Sequence, residues 1–280
     1  MSILIFTILV WFGSLVAGFL GSLTGLGGGV VIIPLLTLVF GVDIRYAIGA
    51  SLVSVIATSS GAAAAYVKEG FSNIRIGMFL EIATVVGALV GAFLALRLST
   101  PIIAIIFGLV LIHSAYVSSR PRRKALSIEK PDKLAAILKM HGTYPTPQGL
   151  KTYQAHSVPF GFGLMCIAGI ISGLLGIGSG ALKVLAMDQA MRLPFKVSTA
   201  TSNFMIGVTA AASAGIYLNK GYIDPGLTMP VMLGVLMGSS LGARHLFEAE
   251  TQKLRIVFSI TIFLLALQMI YSGLTGGILK

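Results

Sequence analysis

The chain has 280 residues, of which 56% are hydrophobic and only 10% are charged, with a formal net charge of +11. Soluble domains contain roughly 25% charged residues, so this composition excludes cytoplasmic enzymes, disordered proteins and secreted disulfide scaffolds. The 34 glycines suit helices that pack closely in lipid, and the chain is therefore predicted to be an all-α polytopic membrane protein.

Ten apolar runs follow one another along the chain, five on each side of a basic stretch. They lie at about residues 3–22, 29–41, 47–67, 76–97, 101–118, 157–175, 181–192, 197–218, 225–246 and 254–274. Most of them provide the roughly 20 apolar residues that a transmembrane helix needs, whereas the runs at 29–41 and 181–192 are too short. The first run lacks a basic start, so we expect a retained membrane segment rather than a signal peptide.

A glycine-rich break precedes each of the two short runs: GSLTGLGGG over residues 21–29 and SGLLGIGSG over residues 172–180. Each glycine weakens a helix by about 1 kcal/mol relative to alanine. In lipid, the backbone groups that are freed must be buried in protein or line a cavity. Breaks at corresponding places in two halves are typical of transporter binding sites, and a helix that begins at a break can bind an anion. The candidate binding residues in the breaks are Gly25, Gly27, Gly28, Gly29, Gly176, Gly178, Ser179 and Gly180.

The alternative is that glycine serves only to let helices approach closely. This is the expected role of Gly87 and Gly91, and of Gly238 and Gly242, because each pair has the spacing of a small-xxx-small packing motif.

A helix rich in hydroxyl groups is predicted after each short run. The pattern of the first half includes Thr58, and that of the second includes Thr209. Such side chains can donate to anion oxygens, although Ser and Thr in lipid also bond back to their own helix. The binding candidates from this pattern are Ser51, Ser54, Thr201, Ser202 and Asn203.

Two ionisable residues fall inside apolar runs, where charge is costly and marks functional sites. Lys183 follows the second break and is predicted to neutralise a bound anion; the alternatives are pairing with Asp188 or reaching the membrane surface. Glu81 lies inside the run at 76–97 and is the candidate for coupling proton movement to transport. Its alternative role is to accept hydrogen bonds from neighbouring helices.

Residues 119–156 form a basic stretch with eight Lys or Arg residues and two acidic ones, a net charge of +6. The positive-inside rule predicts a cytoplasmic loop, so nucleic acid is not expected as a partner. Part of this loop, KPDKLAAILKMHG, is predicted to form a short amphipathic helix at the membrane surface. We therefore divide the chain into an N-terminal membrane repeat (1–118), the basic loop (119–156) and a C-terminal membrane repeat (157–280).

The two membrane halves are related by one constant offset in residue number. The offset places Gly18 on Gly169 and Gly91 on Gly242, and it holds without gaps between these two pairs. Composition bias does not hold one register for so long, so we predict an internal duplication. Five segments per copy is an odd number, which predicts inverted repeats. The first pair in each copy can be two spans or a re-entrant hairpin; if it is instead one broken helix, the copies would be parallel.

No constellation of catalytic residues or metal ligands is present in the sequence, so no enzyme activity, cofactor or metal is expected. There is no HExxH, no GxSxG and no cluster of carboxylates with the spacing of metal ligands. A membrane enzyme remains the least favoured alternative.

Three segments follow one another in the first half: the first break with GVVIIPLL, then IGASLVSVIATSSGAAAAYV, and the turn KEGFSNIRIG. Together they resemble the sulfite exporter TauE/SafE family, also called the 4-toluene sulfonate uptake permease family. In the second half, GLLGIGSGALKVLAM and VSTATSNFMIGVTAAASAGIYLNKGYID are similar to the C-terminal half of that family. The resemblance implies a multi-pass plasma-membrane transporter of small sulfur-containing or organic anions such as sulfite, thiosulfate and sulfonates. It also implies a secondary carrier that is linked to the proton gradient.

The sequence therefore predicts alternating access around a central anion site. The expected partners are membrane lipid and a small anion, and whether the chain forms a homo-oligomer is left open. A passive anion channel or uniporter with the same site is the alternative.

Overall fold

The computed structural model describes residues 3–24, 28–68, 71–119, 132–146, 149–245 and 251–276. The described elements are helices except for one β-hairpin between the two halves. The first half contains α1 (Ile3–Thr24), α2 (Gly29–Pro34), α3 (Ile44–Lys68), α4 (Ile74–Arg97) and α5 (Thr100–Ser119). The connecting segment contains α6 (Lys133–Ile137), β1 (His141–Thr146) and β2 (Gly149–Gln154). The second half contains α7 (Val158–Leu175), α8 (Gly180–Leu185), α9 (Phe195–Asn219), α10 (Pro225–His245) and α11 (Thr251–Thr275).

The short helices α2 and α8 share an unusual ending. Each continues into a π-helical turn, Leu35–Val39 after α2 and Ala186–Ala190 after α8. These turns are related by the same offset as Gly18 and Gly169, and so are the first residues of α3 and α9. The matched short runs of the sequence therefore form short helices of the same length.

The two halves interlock, because the main helix contacts join an element of one half to an element of the other. The helix α1 packs along α10, α4 packs along α7, and α5 packs along α11. At the centre, α3 packs against α9, and these two helices also contact α10 and α4, respectively. The second glycine break, between α7 and α8, therefore lies next to helices of the first half.

Apolar side chains face outwards and hydroxyl groups face inwards. On α4, Ile82, Val86 and Phe93 are each at least 50% exposed, whereas Thr84 on the same helix is fully buried. This is the distribution expected when the surroundings are lipid and the polar groups are gathered in the interior.

Within the described ranges, three helices are both long and apolar enough to cross a membrane: α1 over Ile3–Leu20, α4, and α7. Shorter apolar stretches of 10–17 residues lie in other elements, among them Ile44–Ser60 and Gly29–Val39. The helix α3 is 25 residues long, about 37 Å at 1.5 Å per residue, so its length suffices for a span. Its hydroxyl and small residues make it less apolar than α1, α4 and α5.

The connection between the halves also contains a β-hairpin, which the sequence analysis does not predict. The strands β1 and β2 are antiparallel, with His141 opposite Gln154 and Thr143 opposite Thr152. Their Thr and Tyr residues favour extended structure. The predicted amphipathic helix is present only as the five residues of α6.

The hairpin segment is held against the membrane bundle by polar contacts. The Asn73 side-chain amide donates to Tyr153 Oη (2.8 Å), and Arg75 donates to the Lys139 carbonyl (3.3 Å). The Val158 backbone N–H at the start of α7 donates to Asp132 Oδ2 (3.1 Å). The segment is therefore fixed to the end of the bundle where α4 and α7 begin.

Helix packing confirms the expected role of the small-xxx-small glycines. A Cβ at Gly87 would meet the Cys166 carbonyl oxygen, and one at Gly91 would meet the Ile170 carbonyl oxygen. A Cβ at Gly238 would likewise meet a backbone carbonyl oxygen, that of Leu15. The surroundings of Gly242 lie outside the described part of the structure.

Gly91→Ala is expected to destabilise the protein by about 1–3 kcal/mol, because the added methyl group forces α4 and α7 apart. Thermal unfolding in detergent measures this as a lower unfolding temperature. Gly163→Ala on α7 is the matched control, since a Cβ there has nothing within 4 Å. Equal unfolding temperatures for the two variants would contradict the packing role of Gly91.

Candidate functional site

The second glycine break is a tight turn between two helices. The helix α7 ends at Leu175, and the backbone N–H of Gly176 closes it by donating to the Ser172 carbonyl (2.8 Å). The following φ angles are +66° at Gly176, +70° at Gly178 and +47° at Ser179. Such left-handed angles are easy for glycine and uncommon for other residues, so the glycines are needed to make the turn.

The two breaks come together between α3 and α9. A Cβ at Gly178 would meet Ile206 on α9 (2.8 Å) and Val55 on α3 (3.1 Å). At Gly29, the first residue of α2, a Cβ would meet Ser51 Oγ (2.5 Å) and the Gly176 carbonyl oxygen (3.3 Å). The structure thus brings the start of α2 to the break of the other half.

Ser51 joins the two halves directly at this point. It lies on α3, is fully buried, and donates a hydrogen bond from Oγ to the Gly176 carbonyl (2.8 Å). On α9, Ser202 occupies the matching position of the second half and donates to the Gly180 carbonyl (3.3 Å). Both predicted serines therefore bond to residues of the second break.

The other predicted residues are placed differently. Ser54 donates to the Ala50 carbonyl of its own helix (2.8 Å), and Thr201 accepts from the backbone N–H of Asn73 before α4 (3.0 Å). Asn203 is partly buried on α9. Gly28 is buried beside Val235, whereas Gly25 and Gly27 lie outside the described residues.

Ser179 is a buried hydroxyl within the second break. Ser179 is 3% exposed, and its Oγ has no hydrogen-bond partner among the described residues. A buried hydroxyl without a partner costs free energy unless something accepts or donates a hydrogen bond. Ser179 directly precedes α8, so a ligand that accepts this bond would lie at the start of that helix.

One turn further along α8, Lys183 is fully buried and bonds to α9. Its Nζ donates to Thr209 Oγ1 (2.6 Å), and Thr209 Oγ1 donates to Glu81 Oε1 on α4 (2.6 Å). Thr209 therefore links a buried cation and a buried carboxylate that belong to different halves. Lys183 bonds to Thr209, and not to Asp188, the alternative considered from sequence.

The carboxylate of Glu81 is only partly satisfied. Glu81 is 5% exposed, and its Oε2 has no hydrogen-bond partner within the described ranges. Thr84, one turn later on α4, lies 3.4 Å from Thr209 Oγ1 and completes a cluster of four polar side chains. Its signal in the sequence was the spacing of three residues from Glu81, which places both on one face of α4.

The offset that relates the two halves does not reproduce this polar cluster. The residues at the matching positions for Lys183, Glu81 and Thr84 are Ile32, Met232 and Val235. Only the threonine recurs, and Thr58 donates to the Ser54 carbonyl of its own helix (3.0 Å). The offset between the halves therefore reproduces neither charge, although α8 and α4, which carry Lys183 and Glu81, have matching elements in the opposite halves.

Comparison with known proteins places this site in a family context. The family model described as sulfite exporter TauE/SafE matches residues 10–269. The probable membrane transporter protein YunE of Bacillus subtilis is 30% identical over 276 residues, covering 96% of this chain and 98% of the relative. A probable membrane transporter protein of Methanocaldococcus jannaschii is 25% identical over 272 residues, covering 91% of this chain and 92% of the relative. No solved structure matches the chain.

Single substitutions in the cluster are expected to destabilise the protein more than the double substitution does. Lys183→Ile or Glu81→Met leaves one buried charge without its counterpart, which costs about 3–5 kcal/mol. The double variant carries the residues found at the matching positions of the other half and buries no charge, so its unfolding temperature in detergent should recover towards the wild-type value. A double variant as unstable as the two single effects added together would contradict the linkage.

Proposed function

The chain belongs to the sulfite exporter TauE/SafE family, and we propose that it is a secondary transporter of small sulfur-containing or organic anions in the plasma membrane. The outward-facing apolar helices support a multi-pass membrane protein. The relatives are named as membrane transporters, which supports transport rather than enzyme activity.

The observation that carries this proposal is the fully buried ammonium of Lys183 one turn after the second break. A buried cation in a membrane protein is costly and is retained where it serves transport. The hydroxyl of Ser202 donates to the Gly180 carbonyl and so holds the second break against α9. Ser179 adds a buried hydroxyl without a partner among the described residues. These groups suit an anion that accepts several hydrogen bonds.

The chemistry of the donors suits oxyanions, and the description of the family points to oxyanions of sulfur. Sulfite, thiosulfate and sulfonates each carry several oxygen atoms on one sulfur, so one anion can accept from an ammonium and from neutral O–H and N–H groups together.

We propose that the two halves are inverted copies that alternate access to this site from the two sides of the membrane. The matching bounds of α2 and α8, and of α3 and α9, support a duplication. The start of α2 and the second break meet at the contact between the halves, where inverted-repeat transporters place the site that opens to alternate sides. The basic segment before α7 supports a cytoplasmic location for the connection.

The first experiment measures uptake of labelled sulfite, thiosulfate and short sulfonates by the purified protein in proteoliposomes. We expect one or more of these anions to accumulate when a proton gradient is imposed, and not otherwise. Downhill equilibration alone would indicate a channel or uniporter with the same site. Absence of flux for all of these anions would overturn the proposed substrate class.

Substitutions at the second break should weaken transport in proportion to the interaction removed. Lys183→Met is expected to lower the initial uptake rate at subsaturating anion by about 10-fold or more, because a charged hydrogen bond contributes about 1.5–3 kcal/mol. Ser179→Ala removes a neutral donor and should lower the same rate by only a few-fold. Ser60→Ala, an exposed position bonded within α3, is the control and should behave as the wild type. Unaltered uptake by Lys183→Met would contradict the role of the charge.

A further inference from the structure

The cluster around Thr209 contains two opposite charges with one hydroxyl between them. Lys183 donates to Thr209, and Thr209 donates to Glu81, with both bonds 2.6 Å long. The three side chains come from α8, α9 and α4, so the chain of bonds crosses from the second half to the first. We infer that this chain couples the anion to a proton, and that each anion bound at Lys183 is accompanied by one proton on Glu81. This inference rests on the proposed function.

The hydroxyl of Thr209 has one hydrogen and three neighbouring acceptors, of which Thr84 Oγ1 is the most distant at 3.4 Å. Besides Glu81 Oε1, the Met205 carbonyl lies 2.9 Å away on the preceding turn of α9. A hydroxyl has one donor and two acceptor positions, so Thr209 can turn its hydrogen from the carboxylate to the backbone while it still accepts from Lys183. Thr209 is therefore a positioning residue that responds to whether Glu81 carries a proton.

Charge balance links the binding of the anion to the binding of the proton. Without an anion, the ammonium of Lys183 and the carboxylate of Glu81 balance each other. A monovalent anion beside Lys183 leaves an excess negative charge that is buried, unless Glu81 takes a proton from water. Because an unbalanced buried charge is strongly unfavourable, the anion and the proton each favour the binding of the other. Both the empty and the loaded clusters are then neutral, and both ions move in the same direction.

The titratable groups on the helices around Glu81 identify Lys183 as its counter-charge. The helices packed along α4 are α7 and α9, and the helix that contacts the cluster is α8. On α7 the titratable group is Cys166. On α9 they are Lys196, which lies over the Phe71 ring, and Tyr217, which donates to the Gly173 and Leu174 carbonyls. The segment that continues α8 carries Asp188, which is only partly buried.

The test measures proton and anion movements together in proteoliposomes that contain the full chain. The probes are methanesulfonate, which is monovalent, and thiosulfate, which is divalent. Both stay ionised over the working pH range, so protons that move cannot come from titration of the anion itself. A pH dye in the lumen reports protons, labelled anion reports uptake, and potassium with valinomycin sets the membrane potential.

The wild type is expected to move one proton inwards with each methanesulfonate, at a rate that the membrane potential does not change. Thiosulfate with one proton still carries a negative charge inwards, so an inside-negative potential should slow its uptake. Equal effects of the potential on the two anions, with protons still moving, would overturn the inferred one-to-one ratio and leave the proposed secondary transport intact. Anion uptake without proton uptake would overturn the inference and would also indicate a channel or uniporter in place of the secondary transporter. No uptake of either anion would instead overturn the proposed function.

Two variants test the residues that carry the coupling. In Glu81→Gln, the anion uptake that remains should carry no protons, and a ratio equal to that of the wild type would overturn the inference. Thr209→Val should lower the proton-to-anion ratio, and Thr209→Ser should restore it because the hydroxyl is replaced. Thr58→Val is the matched control, since Thr58 occupies the equivalent position of the first half and bonds to carbonyls of its own helix. A ratio lowered equally by Thr58→Val and Thr209→Val would overturn the inference, because the effect would then be structural.

Discussion

The fully buried ammonium of Lys183 is the constraint on which this site depends. A cation at this depth must be balanced by an opposite charge, and the hydrogen bonds of Lys183 lead through Thr209 to Glu81 on a different helix and in the other half. The charge therefore ties α8 to α9 and α4. In the proposed transport, a bound anion would replace the Glu81 carboxylate as the counter-charge of Lys183. The same interaction therefore affects both stability and transport.

The glycines make this arrangement possible in two ways. In the second break, left-handed angles at Gly176 and Gly178 turn the chain so that α8 begins beside Ser202 and runs along α9. Between the outer helices, Gly87 and Gly91 bring α4 against the backbone of α7. Close approach of α4 to the second half places Glu81 within reach of Thr209. Packing glycines and break glycines thus have separate roles in one site.

The helical class and the short helices after each break could be predicted from the sequence, because each depends on local composition and spacing. The sequence left Lys183 open between an anion site, a pair with Asp188 and the membrane surface. The lengths of α2 and α8 followed from short apolar runs, and the glycine pairs on α4 followed from their spacing of four. Ser51 was predicted to donate to the anion, and in the structure its hydroxyl donates to the Gly176 carbonyl of the second break.

What the sequence did not predict depends on contacts between distant elements. The pairing of Lys183 with Glu81 through Thr209 joins residues of α8, α4 and α9, and no local pattern shows which helices meet. Thr201 was predicted at the anion site but instead holds the chain before α4 through Asn73. The β-hairpin was not predicted because the interpretation of residues 119–156 rested on their net charge, which comes mainly from residues 120–139, and left aside the Thr and Tyr residues of the strands that follow.

The most direct test of this account is titration calorimetry of methanesulfonate binding to the purified protein in buffers that differ in ionisation enthalpy. The dependence of the heat on the buffer gives the number of protons taken up with each bound anion. We expect saturable binding with uptake of one proton by the wild type, and loss of binding in Lys183→Ile. Binding without proton uptake, or binding of wild-type strength in Lys183→Ile, would contradict the claim that the buried ammonium and Glu81 act together on the anion.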